Sequence, residues 1–211
     1  MSSEALFVVV EGPEGAGKST LVANLVRRAE AAGLDVLAVR EPGGTPEAEE
    51  ARALVLDPDR TWEPAAELFL ILAARAELVA NVIRPKLEAG SGLVISDRFD
   101  LSTWAYQVAG RGLPGPEVDA ANRLATGGLT PGLTLVLDLS AEEGRQRQAV
   151  QGKTPDRMER ADPAMHERVS EAFRDASGPG LVHLDGGLPP DALADLAWSA
   201  IEARLPGTPP S

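Results

Sequence analysis

The sequence predicts one three-layer α/β/α sandwich around a five-stranded parallel sheet, and three observations carry the prediction. Five short runs, at 6–10, 36–39, 93–96, 133–137 and 181–184, are almost continuously apolar. Runs of that kind suit a parallel sheet covered on both faces, because a sheet with one wet face alternates apolar and polar residues. Helix-length stretches separate the runs, so strand and helix alternate through the chain and imply right-handed crossovers. Finally, 211 residues are enough for one well-buried domain, and neither a repeat nor an interdomain linker divides them.

Taken in order, "LFVVV" at 6–10 is the first strand, and a helix is expected from Lys18 to Ala32, closed by Gly33. The strand at 36–39 precedes a helix over 46–56 and a long one over 64–89, closed by Gly90. After the strand at 93–96 come helices over 103–110 and 116–126, then the strand at 133–137. Helices at 141–149, with Ser140 near its start, and 163–176 lead to the last strand at 181–184. A final helix over 190–205 has Asp191 close to its start. The stretch over about 148–162 is polar and contains Gly and Pro, and it is expected to be a mobile lid-like loop between two helices. Residues 1–205 form the expected domain, and 206–211, "PGTPPS", an expected disordered tail.

Composition narrows the function. Twenty basic residues stand against 32 acidic ones, a net charge of −12. A surface that acidic repels nucleic-acid polymers and anionic membranes, whereas a small nucleotide needs only a few local cations. With no cysteine, disulfides, thiolate metal sites and cysteine nucleophiles drop out together. The start of the chain has no basic n-region, and no apolar run approaches the ~20 residues of a membrane span. A soluble, cytoplasmic protein is expected.

The chemistry begins at Gly12-Pro13-Glu14-Gly15-Ala16-Gly17-Lys18-Ser19-Thr20, which fits G-x-x-x-x-G-K-[ST] between a strand and a helix. Backbone N–H groups of such a loop turn onto phosphate oxygens at the positive end of the helix. Lys18 should reach the β- and γ-phosphates of ATP, and the Ser19 hydroxyl should take Mg²⁺. Asp97-Arg98 follows the strand at 93–96, so its acid could hold the water shell of the same Mg²⁺. Arg98 would share the cleft at the strand ends, where open α/β sheets bind ligands; a surface ion pair is the plainer reading of the two residues. Arg52 and Arg75 lie on expected helices, where a solvated face would also account for them. His166 and His183 have no Ser or Asp pattern suited to a triad. None of Asn24, Asn81 and Asn122 begins the N-K-x-D of a guanine-specific switch. Several arginines besides Lys18 favour a kinase that holds two anionic molecules end to end.

"EGPEGAGKST", "REPGGT" (40–45), "EEARALVL" (49–56), "LAAR" (72–75), "DRFDLSTWAYQ" (97–107), "GRG" (110–112) and, more faintly, "DRMER" (156–160) occur in that order. The whole set resembles the bacterial thymidylate kinase pattern. The resemblance implies the P-loop nucleoside-monophosphate kinase fold and a homodimer. It also implies phosphorylation of dTMP to dTDP by ATP and Mg²⁺, a step toward dTTP for DNA replication. By the same resemblance, Arg52, Arg75 and Arg98 clasp the dTMP phosphate, while Thr103 and Gln107 hydrogen-bond the thymine edge. Tyr106 lies against the deoxyribose, Glu14 meets the sugar 3′-hydroxyl, Asp97 stands near Mg²⁺, and Glu41 and Pro42 belong to the acceptor side. A kinase for another nucleoside monophosphate and a non-catalytic ATP-binding protein are the rival readings.

Three positions depart from the pattern. Ile71 stands where the family usually stacks an aromatic on thymine; it is expected to cover the base as a flat aliphatic contact of the dTMP pocket, with a shift of Phe69 as the alternative. The phosphate loop has Gly15 rather than an arginine, so charge at the transferred phosphoryl is expected from the lid, where Arg147, Lys153 and Arg157 are the candidates. Phe99 replaces the usual Tyr or His after Asp-Arg.

Overall fold

The computed structural model describes residues 5–151 and 156–205. Five parallel strands, β1 (Leu6–Glu11), β2 (Val36–Arg40), β3 (Leu93–Asp97), β4 (Leu133–Asp138) and β5 (Leu181–Asp185), form one sheet in the order β2-β3-β1-β4-β5. The helices are α1 (Lys18–Ala31), α2 (Pro46–Leu56), α3 (Pro64–Leu78), α4 (Arg84–Glu88), α5 (Asp100–Thr103), α6 (Gly115–Thr126), α7 (Ala141–Gln151), α8 (Pro163–Arg174) and α9 (Pro190–Glu202). Among the described residues no helix is long and apolar enough to cross a membrane.

The period-2 geometry of a strand divides β1 between two cores. Val8 and Val10 pack with Leu21 and Leu25 of α1 and Ala197 and Ile201 of α9. Phe7 and Val9 face the opposite layer, with Leu78, Ile83 and Phe99. On the same side Val136 of β4 meets Tyr106 and Met165, Val169 and Phe173 of α8. Burial on both faces is why the runs of the inner strands β1, β3 and β4 read as nearly continuous rather than alternating.

All five strands run one residue beyond the apolar run that marks them, and each added residue is charged: Glu11, Arg40, Asp97, Asp138 and Asp185. Parallel register brings these to one edge of the sheet, with Asp97 opposite both Val10 and Arg40. Gly33 and Gly90 end their helices with positive φ, as expected. Ser140 and Glu143 cap α7 reciprocally, whereas Asp191 is not the cap of α9, where Pro189 stands. The stretch over 64–89 is α3 and α4 joined by a π-helical turn, Val79–Ile83. The helix expected at 103–110 is α5 followed by π-helical Trp104–Gly110, which carries Tyr106 and Gln107. A π segment sets side chains off the 3.6-residue stripe, a re-aiming common at functional sites.

Glu11 ends β1 with no solvent exposure. Its Oε1 accepts from the backbone N–H of Phe99 (2.8 Å) and Ser102 (3.1 Å), and its Oε2 from the Ser102 hydroxyl (2.5 Å). Burial pushes its pKa from 4.5 up to about 7, against the pull of Arg98. The fold therefore favours the protonated form: its contribution is full below pH 4.5 and is lost as pH rises through about 7. Glu11→Gln keeps a neutral group of the same shape. Between pH 4.5 and 8 the wild type should lose stability relative to this variant, by up to about 3 kcal/mol. Urea unfolding at several pH values reads this directly, and a pH-independent gap would contradict it.

Candidate active site

The loop between β1 and α1 turns at the sheet edge where the strand order reverses on either side of β1, the place where open α/β sheets hold ligands. Gly12 has φ 143° and Gly15 φ 75°, values that favour glycine. Gly15 also lies against Gly144 at the start of α7: a Cβ on Gly15 would fall 2.4 Å from the Gly144 carbonyl oxygen. That contact, with the positive φ, explains physically why no arginine occupies this loop position. Lys18, almost fully buried, donates to the Pro13 carbonyl (2.7 Å), and Gly12 O accepts from Arg98 (3.2 Å). Burial, then the charge of Arg98, lowers the Lys18 pKa to about 8.

Two cavities open on this loop, and Gly15, Gly17 and Thr20 line both. One, of about 610 Å³, runs between Ala16 and Leu21 on one side and Val150, Gly186, Leu188 and Leu193 on the other. The other, of about 540 Å³, reaches from Lys18 and Ser19 past Arg98 to Arg52, Ile71, Arg75 and Gln107. Motif reading supplied the loop but missed the apolar first cavity, whose far wall lies well over a hundred residues away in sequence.

Ser19 Oγ donates to Asp97 Oδ2 at 2.7 Å. A hydroxyl and a carboxylate beside a phosphate loop are hard oxygen donors of the kind Mg²⁺ takes together with nucleotide phosphates. No group of three or more His, Cys, Asp or Glu among the described residues could hold a metal by itself. The donor set therefore fits an ion that arrives with a nucleotide.

Arg98 has φ 76°, unusual for a residue with a Cβ. Its N–H bonds the Val10 carbonyl (3.0 Å), and the Ser96 hydroxyl donates to its carbonyl (2.7 Å), which pins the turn. The guanidinium pairs with Glu14 (2.7 Å), donates to Ser102 Oγ (3.0 Å) and Tyr106 Oη (3.2 Å), and lies 5.1 Å from the Tyr106 ring centre. Tyr106 Oη in turn donates to Glu14 Oε1 (3.0 Å). Burial raises the Glu14 pKa, but Arg98 and Lys18 outweigh it and hold the carboxyl down at about 2. Burial raises that of Tyr106 beyond its ordinary value. Glu14 is thus a fixed anion on the second-cavity side of an anion-binding loop.

Arg75 is buried and hydrogen-bonded through all three of its nitrogens. Its Nε donates to Glu41 (2.6 Å), Nη1 to Thr103 Oγ1 and Asn122 Oδ1 (2.6 Å each), and Nη2 to the Phe99 carbonyl (2.8 Å). With those partners and an acid alongside, one N–H of the five in a guanidinium is left for a ligand. Arg75 thus sits beside Thr103, and both line the second cavity with Gln107. Glu41 is buried against it, and burial raises its pKa despite the Arg75 charge. Arg52 remains partly open and donates to the Pro42 carbonyl (2.7 Å). Ile71 lines the cavity, whereas Phe69 is 63% exposed and does not take its place.

The lid cations scatter. Arg147 lines the first cavity and donates to the Gly186 carbonyl (2.9 Å). Arg157 turns away from the loop, its Nε on Val55 O (2.7 Å) and its Nη2 on Glu67 (2.7 Å), so it is not placed to touch a transferred phosphoryl group. Lys153 lies outside the described residues, as does the tail from residue 206. Sequence reasoning also missed Glu11, Arg40, Glu67, Arg111 and Asn122. A charge shows its role in sequence only through its partner, and those of Glu11, Glu67 and Arg111 lie far along the chain.

Residues 10–193 match the family model described as thymidylate kinase. A thymidylate kinase of Deinococcus radiodurans is 47% identical over 205 residues, 96% of this chain and 98% of that protein. One from Cereibacter sphaeroides is 49% identical over 178 residues, 82% of each chain. A third, from Pseudomonas putida, is 44% identical over 206 residues, 96% of this chain and 97% of that one. By a match over most of its length, and by relatives this similar end to end, the chain belongs to the thymidylate kinase family.

Proposed function

We propose that this protein transfers the γ-phosphoryl group of ATP to the phosphate of dTMP, giving ADP and dTDP. The observation that carries the reading is the shared wall: a single phosphate loop borders both cavities, so two nucleotides bound there meet phosphate to phosphate.

The donor base lies in the apolar first cavity, with Leu21, Leu188 and Leu193 covering it and Arg147 at its rim. Loop N–H groups and Lys18 hold its phosphates. In the second cavity the Thr103 hydroxyl and the remaining N–H of Arg75 donate to a pyrimidine carbonyl, and Ile71 covers the ring. Tyr106 lies against the deoxyribose, and Glu14 accepts from the 3′-hydroxyl. Arg98 and Arg52 hold the acceptor phosphate, one of whose oxygens attacks the γ-phosphorus as the bond to the ADP oxygen breaks. The acceptor is already an anion at neutral pH, so no strong general base is required. Lys18 and Arg98 offset the charge spread over the transferred group. Ser19 and Asp97 would hold a Mg²⁺ ion arriving with ATP, which would supply further neutralisation of its phosphates. A second copy of the chain covers Phe69 of α3 and Leu124 of α6, large apolar side chains exposed by 63% and 85% on two helices that pack together.

ADP release with MgATP against dTMP, dUMP, dCMP, AMP and GMP tests the reading. Turnover should be greatest with dTMP. Preference for a purine or for dCMP would overturn the acceptor assignment, and no turnover with any of them would overturn the kinase reading.

A further inference from the structure

Glu67 sits in the first turn of α3 and is wholly buried although it is a carboxylate. Burial raises its pKa, but hydrogen bonds from Arg111, Gln107 and Arg157 more than reverse this and keep it ionised. Its Oε1 accepts from Gln107 Nε2 (3.0 Å) and Arg111 Nε (3.1 Å). Its Oε2 takes Arg111 Nη2 (2.9 Å) and Arg157 Nη2 (2.7 Å). The mechanism above uses none of these contacts, yet one of them ends on a residue that lines the acceptor cavity.

The geometry points to Glu67 as a positioning residue that sets base specificity by deciding which end of the Gln107 amide the nucleotide meets. This rests on the dTMP reading above. An ionised carboxylate only accepts hydrogen bonds, so the amide end facing it must be the NH₂ group. The side-chain oxygen, Gln107 Oε1, is then left for the cavity, and among the described residues it accepts no hydrogen bond. A lone carbonyl oxygen suits a ring N3–H, which thymine and uracil carry, and opposes the bare N3 of cytosine, lone pair against lone pair. Arg111 and Arg157 act one step further out by keeping Glu67 charged.

The test compares kcat/KM for dTMP with kcat/KM for dCMP, with KM for ATP alongside. In Glu67→Gln an amide faces an amide, so Gln107 can turn either end to the base. The dTMP:dCMP ratio should fall about tenfold or more, the scale of one misplaced buried hydrogen bond, while KM for ATP stays within a few-fold. Equal loss for both nucleotides, with the ratio kept, would show a merely structural role and overturn the proposal. Gln107→Leu separates the two layers of the argument. If Gln107→Leu leaves the ratio unchanged, the base reading itself fails. If it collapses the ratio while Glu67→Gln does not, Glu67 alone loses its role. Should Glu67→Gln not fold, Arg111→Gln serves: with less support the carboxyl protonates, so the ratio should fall as pH is lowered while the wild-type ratio stays flat. A flat ratio in that variant also overturns the proposal.

Discussion

Lys18→Ala should lower kcat by about 10²–10³-fold at saturating ATP and dTMP, the scale of removing one preorganised charge from a transferring group. Lys18 is nearly buried at the one loop that borders both cavities, and its ammonium already touches the Pro13 carbonyl at 2.7 Å. It is therefore held in place before substrate arrives, and little reorganisation is needed as charge develops on the γ-oxygens. Lys18→Arg should not restore the rate, because a planar fork does not replace a compact point charge in a tight loop. Its pKa of about 8 adds a second reading. Since kcat/KM reports the free enzyme, kcat/KM for ATP in the wild type should decline above about pH 8. Bound phosphate favours the ammonium, so the corresponding fall in kcat should lie at higher pH. Steady-state kinetics, with a thermal melt to show that the variant folds, settles the point. Activity of Lys18→Ala within a few-fold of wild type would contradict it.

Arg98→Ala should raise KM for dTMP by about 10- to 100-fold, the scale of charge-assisted hydrogen bonds, with KM for ATP changed far less. The asymmetry follows from placement. Arg98 lines the acceptor cavity but not the apolar one, and its strained φ of 76° is held by Val10 and Ser96. Glu14 would change with it. Arg98 is the first of the groups that hold its pKa down against burial, so in the variant the carboxyl should titrate nearer to or above its ordinary range. Arg98→Lys keeps the charge but loses the fork shared among Glu14, Ser102 and Tyr106, and should recover only part of the affinity. Equal loss for ATP and dTMP would contradict the assignment.

Parts of this arrangement were legible from residues alone. Near-continuous apolar runs marked all five strands, and in the three inner ones, β1, β3 and β4, burial on both faces removes the polar alternation that would otherwise blur them. Their ends were not, since the closing residue of each is a charge that pattern reading assigns to a loop. The π-helical segment bearing Tyr106 and Gln107 was hidden because a π turn and an α turn share composition and differ in register. Within the site, chemistry alone raised the question of Glu14, an acid in an anion-binding loop, and the structure pairs it with Arg98 and Tyr106. The surroundings of Arg75 and Arg157 were hidden for one reason. Each is claimed by a buried glutamate, Glu41 or Glu67, far along the chain, and sequence shows a cation but not which acid takes it.

Phosphorus NMR of the protein with MgATP and dTMP tests the central claim most directly, because it separates transfer from hydrolysis. ADP and dTDP signals should grow together in equal amounts as ATP and dTMP decline. Growth of inorganic phosphate with ADP, while dTMP is unchanged, would contradict a loop that holds two nucleotides phosphate to phosphate.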